Sequence, residues 1–496
     1  MLKQKFVLHF VTGIGLQIIT ALTGIIVARL AGPEVIGTVA FGTAYVGIFG
    51  FTLGLFGSSH LKLISEGKNL GDCITTYTII QSLNIGLFIG IFLLYSFFHK
   101  TFIKSDFSQE QIYVIWIFFG FYVISQFLSI MQITFSAQID VAKGSISIIL
   151  QNIAYNASRI IVVILGLGAV ALTAANYVGL LVTIPATWHY FKRYPFGKFD
   201  KSLMKEYLKV SLPFFIIGVC GTGITNLGRI LLEYFDNVRQ IGLYTAGYSI
   251  AAMLLLISST TGSIFFPLFS KQVAENKFEL ISEQIHKYEK FILQFVLPAV
   301  ILIVLYSNYI IIALLGNKYF ESGQVLQVLI ISSFIQILII PHGNLLIGMR
   351  LYKLISYLNI LQLIFFVISL LIFLPKNLFG IGALGLALSN LLISILLALF
   401  YYYYILREAK INPLKKENII ILLSGIFIGL AGYFALEYIS IQNSILNFVA
   451  GCLLIPSIFY LFLHIFKLIT VEDFRFFFKL FHLRDTFIYI KQEIRS

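Results

Sequence analysis

Apolar stretches of about 20 residues, each long enough to cross a bilayer as a helix, follow one another along almost the whole chain, separated by short polar connections. They lie near 6–30, 36–61, 73–98, 112–137, 145–168, 169–191, 210–235, 240–270, 290–315, 324–349, 354–374, 381–405, 418–438 and 443–467. The first follows directly on MLKQK and lacks a small-residue cleavage site, so it is expected to be a span and not a removable leader. The pattern predicts an all-α integral membrane protein with about 14 transmembrane helices.

Composition agrees. Of 496 residues 59% are hydrophobic and 11% charged, with a mean hydropathy of +0.93, more apolar surface than a soluble core needs. The net charge of +13 first suggests nucleic acid, but its placement gives another reading. Segments on the side holding both termini carry about 27 of the Lys and Arg residues, among them Lys192, Arg193, Lys198, Lys201, Lys205 and Lys209. Connections on the other side carry about five: Lys100, Lys104, Arg239, Lys318 and Lys376. Cationic loops resist translocation, so the rich side is expected to be cytoplasmic, in the inner or plasma membrane of the cell, and no nucleic acid is implied. Cys73, Cys220 and Cys452 have no metal-like spacing. The tail after 467 mixes phenylalanines with basic residues and is expected to lie in the cytoplasmic interface.

The chain also repeats itself. IGTVAFG (36–42) pairs with IGLYTAG (241–247), and GAVALTAAN (168–176) with GALGLALSN (382–390), in the same order and at similar offsets. Six helices per repeat is an even number, so the halves share an orientation and are expected to be related by a pseudo-two-fold along the membrane normal. The expected organisation is an N-terminal lobe over 1–200, a C-terminal lobe over 201–415, two additional helices over 416–467 and the interfacial tail over 468–496.

ARLAGPEVIG (28–37), ALLGNKYFESGQVLQVL (313–329) and LIGMRLYKLISYLNILQ with FGIGALGLALSN (346–390) resemble the polysaccharide-unit flippases of the O-antigen type. These belong to the multidrug/oligosaccharidyl-lipid/polysaccharide (MOP, MATE-like) exporter superfamily. The resemblance extends over essentially the whole chain. It implies two helix lobes around a central cavity, and movement of a lipid-linked oligosaccharide from the cytoplasmic to the external leaflet. It further implies that other polysaccharide-assembly membrane proteins are possible partners.

Polar residues inside the spans are the candidate site. On a helical wheel Gln151, Asn152, Tyr155, Asn156 and Arg159 share one face, with Ile and Ala opposite. A mid-span arginine costs about 2.5–3.5 kcal/mol on the insertion scale, so it is expected to face a hydrated lumen. Thr222, Asn226, Arg229 and Glu233 form a narrower stripe after VCGTG (219–223). Arg229 and Glu233 are also spaced for an i, i+4 pair. Arg29 ends the first span, where it suits either a helix C-terminus or a substrate. Asn176 and Asn390 suit interhelical hydrogen bonds, and His60 sits at a span edge. The substrate-binding candidates are therefore Arg159, Asn156, Asn152, Tyr155, Arg229, Asn226 and Arg29. The arginines match phosphate oxygens and the amides and phenol match sugar hydroxyls, as a polyprenyl-diphosphate-linked oligosaccharide requires.

No HExxH, GxSxG or Walker sequence and no Cys/His cluster is present, so neither an enzyme nor a bound cofactor or metal is expected. H+ or Na+ coupling remains open, with Glu233 as the coupling candidate. A peptidoglycan-precursor flippase and a MATE-type drug/cation exporter are the alternatives; a membrane glycosyltransferase or polymerase is disfavoured by the short connections.

Overall fold

The computed structural model describes residues 2–102, 107–138, 140–412, 415–438, 444–470 and 473, and among these it is helical with no strand. Two compact units are present, one ending at Gly242 and the other starting at Leu243. Twelve helices among the described residues are long and apolar enough to cross a membrane. The chain is thus an all-α, multi-pass membrane protein.

The first unit holds α1 (Leu2–Ala31), α2 (Pro33–Gly47), α3 (Gly57–Ser65), α4 (Leu70–Phe102), α5 (Gln109–Ala137), α6 (Val141–Ile164), α7 (Gly168–Phe191), α8 (Lys201–Phe235) and the first turn of α9 (Val238–Leu254). The second holds the rest of α9, α10 (Leu256–Ala274), α11 (Phe278–Phe295), α12 (Leu297–Leu305), α13 (Ser307–Leu315), α14 (Ser322–Gly348), α15 (Tyr352–Phe373), α16 (Gly382–Tyr404), α17 (Lys416–Tyr438) and α18 (Ser444–Ile465).

Several of the fourteen expected stretches are interrupted. The stretch 36–61 is α2, a 3₁₀ segment Ile48–Thr52 and a separate α3, so the span proper is Pro33–Phe51. The stretch 240–270 breaks at Leu255 into α9 and α10. The stretch 290–315 belongs to α11, α12 and α13, with Pro298 in the first turn of α12, where a missing N–H is harmless. Apolar content alone does not see these interruptions, because each is made by backbone geometry inside a uniformly greasy run. The apolar described part of the first helix, Gly15–Ala31, is shorter than the twelve. The expected interfacial tail, 468–496, lies almost wholly outside the described residues.

The second repeat pair has a structural counterpart. Gly166 and Gly168 before α7, and Gly380 and Gly382 before α16, all have positive φ, which turns the chain sharply from one helix into the next. Asn176 then donates to the Thr173 carbonyl, and Asn390 to the Leu386 carbonyl and the Tyr244 hydroxyl at 3.2 Å.

Inside the first unit, α3, α4, α5 and α8 bury Leu63, Cys73, Tyr77, Ile130, Leu203 and Tyr207 together. His60 is fully buried at this junction and stacks on Tyr77 at 4.1 Å. The Thr134 hydroxyl donates to the Ile130 carbonyl, so it accepts from His60 Nε2–H at 3.0 Å, leaving Nδ1 to accept from the Tyr207 hydroxyl at 2.7 Å. That pattern is complete for a neutral imidazole, and His60 is a structural tie among three helices. In the second unit, α14 packs on α10, α12 and α16. Ser332 and Ser394 meet at 2.9 Å, and Gln336 donates to Ser394 Oγ, polar links of the kind that join helices in lipid.

Candidate functional site

Helix α6 carries the main cluster, and its neighbours fix which way it points. From α1, the Thr20 hydroxyl lies 3.4 Å from both Asn152 Oδ1 and Asn156 Nδ2. From α7, the Ala175 carbonyl accepts from Ser158 at 3.2 Å. Gly179 brings α7 so near that a side chain there would press on the Gln151 carbonyl and the Tyr155 Cβ. The opposite face shows Ile153, Ala157, Ile161 and Ile164 exposed, the composition of a surface against acyl chains. At 100° per residue Arg159 lies roughly 150° round from the centre of that face.

Arg159 is half-buried, with its guanidinium carbon 5.0 Å from the centre of the Tyr155 ring one turn earlier. The magnitudes show what this achieves. Arg159 lies five residues from the C-terminal end of α6 and not at the middle of the span that the sequence suggested. A cation–π contact gives about 0.5–2 kcal/mol, and the about 2.5–3.5 kcal/mol of an arginine at a span centre is the upper limit of its cost here. The stack offsets part of the penalty, and water near the end of the helix or an anion can supply more. Asn152 and Asn156 are engaged differently: each also donates to its own helix, to the Ile148 and Asn152 carbonyls, and Asn156 is 3% exposed. Gln151, Asn152, Tyr155 and Arg159 are half-buried, and Asn156 is the buried member of the stripe.

Helix α8 carries the second cluster. Asn226 is buried and donates to the Thr222 carbonyl; its side-chain oxygen and the Tyr122 hydroxyl both lie against Gly47 of α2, where a Cβ would be 3.1 and 3.3 Å from them. Arg229 is half-buried one turn further along α8. Glu233 is held at the start of α5, where its carboxylate accepts from Gln111 Nε2 at 2.9 Å. Gln111 is itself half of a capping box, its Oε1 accepting from the Ser108 N–H at 2.7 Å while its own N–H donates to Ser108 Oγ. A carboxylate beside a helix N-terminus is favourably placed. Gln111 is 122 residues away in sequence, a partner that helical spacing within α8 could not suggest. The Ser-x-x-Gln signature at 108–111 was the signal for this cap. Arg29 is exposed in the last turn of α1.

Among the described residues, no group of three or more His, Cys, Asp or Glu could hold a metal.

A family model described as polysaccharide biosynthesis protein matches residues 26–324. Over 124 residues the chain is 28% identical to the teichuronic acid biosynthesis protein TuaB of Bacillus subtilis (strain 168), a stretch that is 25% of each protein. The match therefore spans only a quarter of that relative's length. In fold the chain is similar to the lipid II flippase MurJ in an inward closed conformation, with a TM-score of 0.69 and 13% identity, over 93% of this chain and 100% of that one. It is also similar to an inward-facing multidrug resistance MATE family transporter of the MOP superfamily, with a TM-score of 0.64 and 15% identity over 83% and 99% of the two chains. A MOP superfamily transporter from Pyrococcus furiosus aligns with a TM-score of 0.53 at 16% identity, over 82% and 96%. At these identities the likeness establishes the fold.

Proposed function

Since the chain belongs to the polysaccharide biosynthesis protein family, we propose that it is a flippase carrying polyprenyl-diphosphate-linked oligosaccharide units from the cytoplasmic to the external leaflet by alternating access. The observation that carries the reading is Arg159. Arg159 lies on the side of α6 away from its apolar face, half-buried over Tyr155, where a charge is still costly without a counter-charge or water. A diphosphate head group supplies the missing counter-charge through charge-assisted bonds to a planar fork that stays protonated. Gln151, Asn152 and Tyr155 on the same stripe match sugar hydroxyls. Arg229 with Asn226 forms a second position for the anion, and Arg29 a third at the end of α1. The termini and the basic connections lie on the cytoplasmic side in this reading, and other polysaccharide-assembly membrane proteins are the partners at either leaflet.

Reconstitution into vesicles tests it. A fluorescent polyprenyl-diphosphate oligosaccharide placed in one leaflet should become accessible to a membrane-impermeant quencher from the other only when the protein is present. Movement of lipid II alone would support the peptidoglycan-precursor reading, and movement of a cationic drug alone the exporter reading. Formation of glycosidic bonds by the purified protein would identify a transferase instead.

A further inference from the structure

The second unit buries a carboxylate between two imidazoles, none of which the proposed cargo uses. Glu289 on α11 is 4% exposed, His286 one turn before it 5%, and His342 on α14 0%. Glu289 Oε1 lies 3.2 Å from His342 Nε2, and Oε2 lies 3.6 Å from His286 Nδ1 while accepting from Asn418 Nδ2 of α17 at 3.0 Å. The Tyr402 ring of α16 closes over His342, with ring centres 4.8 Å apart. Next to Glu289 on α11, Lys290 pairs with Glu417 of α17 at 4.0 Å. Three helices thus supply the polar groups and a fourth the ring.

The helix bearing His342 is weakened at this point. Pro341 sits inside α14, and a proline there leaves the carbonyl four residues earlier without its helical N–H. That carbonyl belongs to Ile337, and the Tyr288 hydroxyl of α11 donates to it at 3.1 Å. The proline-bearing segment of α14 is therefore tied to α11 twice in succession, by Tyr288 to Ile337 and by Glu289 to His342.

Charge counting shows what the second tie needs. With both imidazoles neutral, the cluster holds a buried negative charge; with both protonated, it holds a buried positive one. Either is costly out of water, whereas one proton leaves the cluster neutral. Glu289 Oε1 and both nitrogens of His342 are buried without an aligned hydrogen bond to the described residues, although Nε2 is within ion-pair distance of Oε1. A proton on His342 would turn that misaligned approach into a charge-assisted bond. A sodium ion fits poorly, since hard cations take several oxygen ligands and here the three groups around the carboxylate present nitrogens.

We propose that His286, Glu289 and His342 form a buried one-proton site that fastens the proline-bearing end of α14 to α11 when the proton is bound and loosens it when the proton leaves. The proton enters from solvent onto an imidazole nitrogen and returns to solvent from it; no other bond changes. The site stands on residues of the second unit alone and is independent of the cargo.

Hydrogen exchange on the purified full-length protein in detergent tests it, read over 337–348 and corrected for intrinsic rates. Opening of this segment should become easier as pH rises from 5 to 8, by up to about tenfold per pH unit, the limit for one linked proton. Glu289→Gln and His342→Gln should each flatten that dependence while leaving a distant segment such as 168–176 unchanged. An unchanged pH response in both variants would overturn the proposal. Should neither variant fold, the wild-type protein still decides, because a flat profile across this range would overturn it too. Protection that follows sodium concentration at fixed pH and ionic strength, with no response to pH, would replace the proton by a metal cation.

Discussion

Gly37 and Gly242 meet where α2 crosses the first turn of α9: a Cβ on Gly37 would come within 2.9 Å of the Gly242 nitrogen and would collide with the Val238 carbonyl. The reverse is also true, since a Cβ on Gly242 would collide with the carbonyl of Pro33. The two glycines occupy the same place in the two copies of the Ile-Gly repeat, and Pro33 and Val238 are separated by the same 205 residues. The contact is therefore reciprocal, and Arg239 adds an exposed ion pair to Glu34 beside it at 3.5 Å.

Neither glycine should tolerate alanine. Because the obstructing atoms are backbone, α2 and α9 must separate to admit a methyl, at about 1–3 kcal/mol for an overpacked contact. Once one substitution has parted the helices the second should add little, so Gly37→Ala with Gly242→Ala should be less destabilising than the sum. Thermal unfolding of the two single variants and the double variant in detergent checks this; simple additivity would show that the two sites do not share one crossing.

Tyr155→Phe should preserve the stack beneath Arg159, whereas Tyr155→Leu should remove about 0.5–2 kcal/mol of support for the guanidinium. The same unfolding assay should rank wild type and Phe together, with Leu below them. Equal stability of Leu and Phe would mean that the ring does not carry the cation.

Glu233 and Gln111 should respond unequally. In Glu233→Gln the amide oxygen can still accept from Gln111, so the tie between α8 and α5 persists. In Gln111→Leu a partly buried carboxylate loses its donor and the Ser108 cap loses its second half, at about 1–3 kcal/mol. The assay should place Gln111→Leu clearly below Glu233→Gln. If Glu233→Gln keeps normal stability but loses transport driven by an ion gradient, the carboxylate acts in coupling.

Asp200 gives a pH signature outside the membrane. Its carboxylate accepts from the Ser202 and Leu203 N–H groups at the start of α8, which holds its pKa below the ordinary carboxylate value. A depressed acid stabilises above its unfolded pKa and loses that contribution as pH falls through the folded one. Amides 202–204 should therefore lose protection on acidification in the wild type. Asp200→Asn should remove this response, because asparagine caps equally well and does not titrate. Persistence of the acid response in the variant would assign it to another group, such as the exposed Lys68–Glu206 pair at 3.1 Å.

Much of the architecture was legible from the chain because lipid simplifies the code. A span must be apolar and helical, so run length alone located most of the helices. The repeat pairs were informative for a further reason: each marks a place where only glycine fits, at the α2–α9 crossing and at the turns into α7 and α16. Breaks within greasy runs, at Leu255 and around Pro298, were hidden because hydropathy does not report backbone geometry.

The candidate site was half legible. Periodicity put Arg159 and Tyr155 on one face of α6, and the structure stacks them. Periodicity could not show that Thr20 engages Asn152 and Asn156, or that Gln111 engages Glu233, because those partners are 122 to 136 residues away on other helices. The buried His286–Glu289–His342 cluster escaped for the same reason, His342 being a single residue within a long apolar helix.

Arg159 offers the most direct measurement: translocation of a polyprenyl-diphosphate oligosaccharide in vesicles by wild type, Arg159→Lys and Arg159→Ala, alongside the thermal stability of each. Removing a guanidinium from within a span relieves an insertion cost, so the alanine variant should be as stable as wild type or more so, and yet should lose transport. Lysine keeps the charge without the planar fork and should fall between the two. Full transport by a correctly inserted Arg159→Ala would contradict the account.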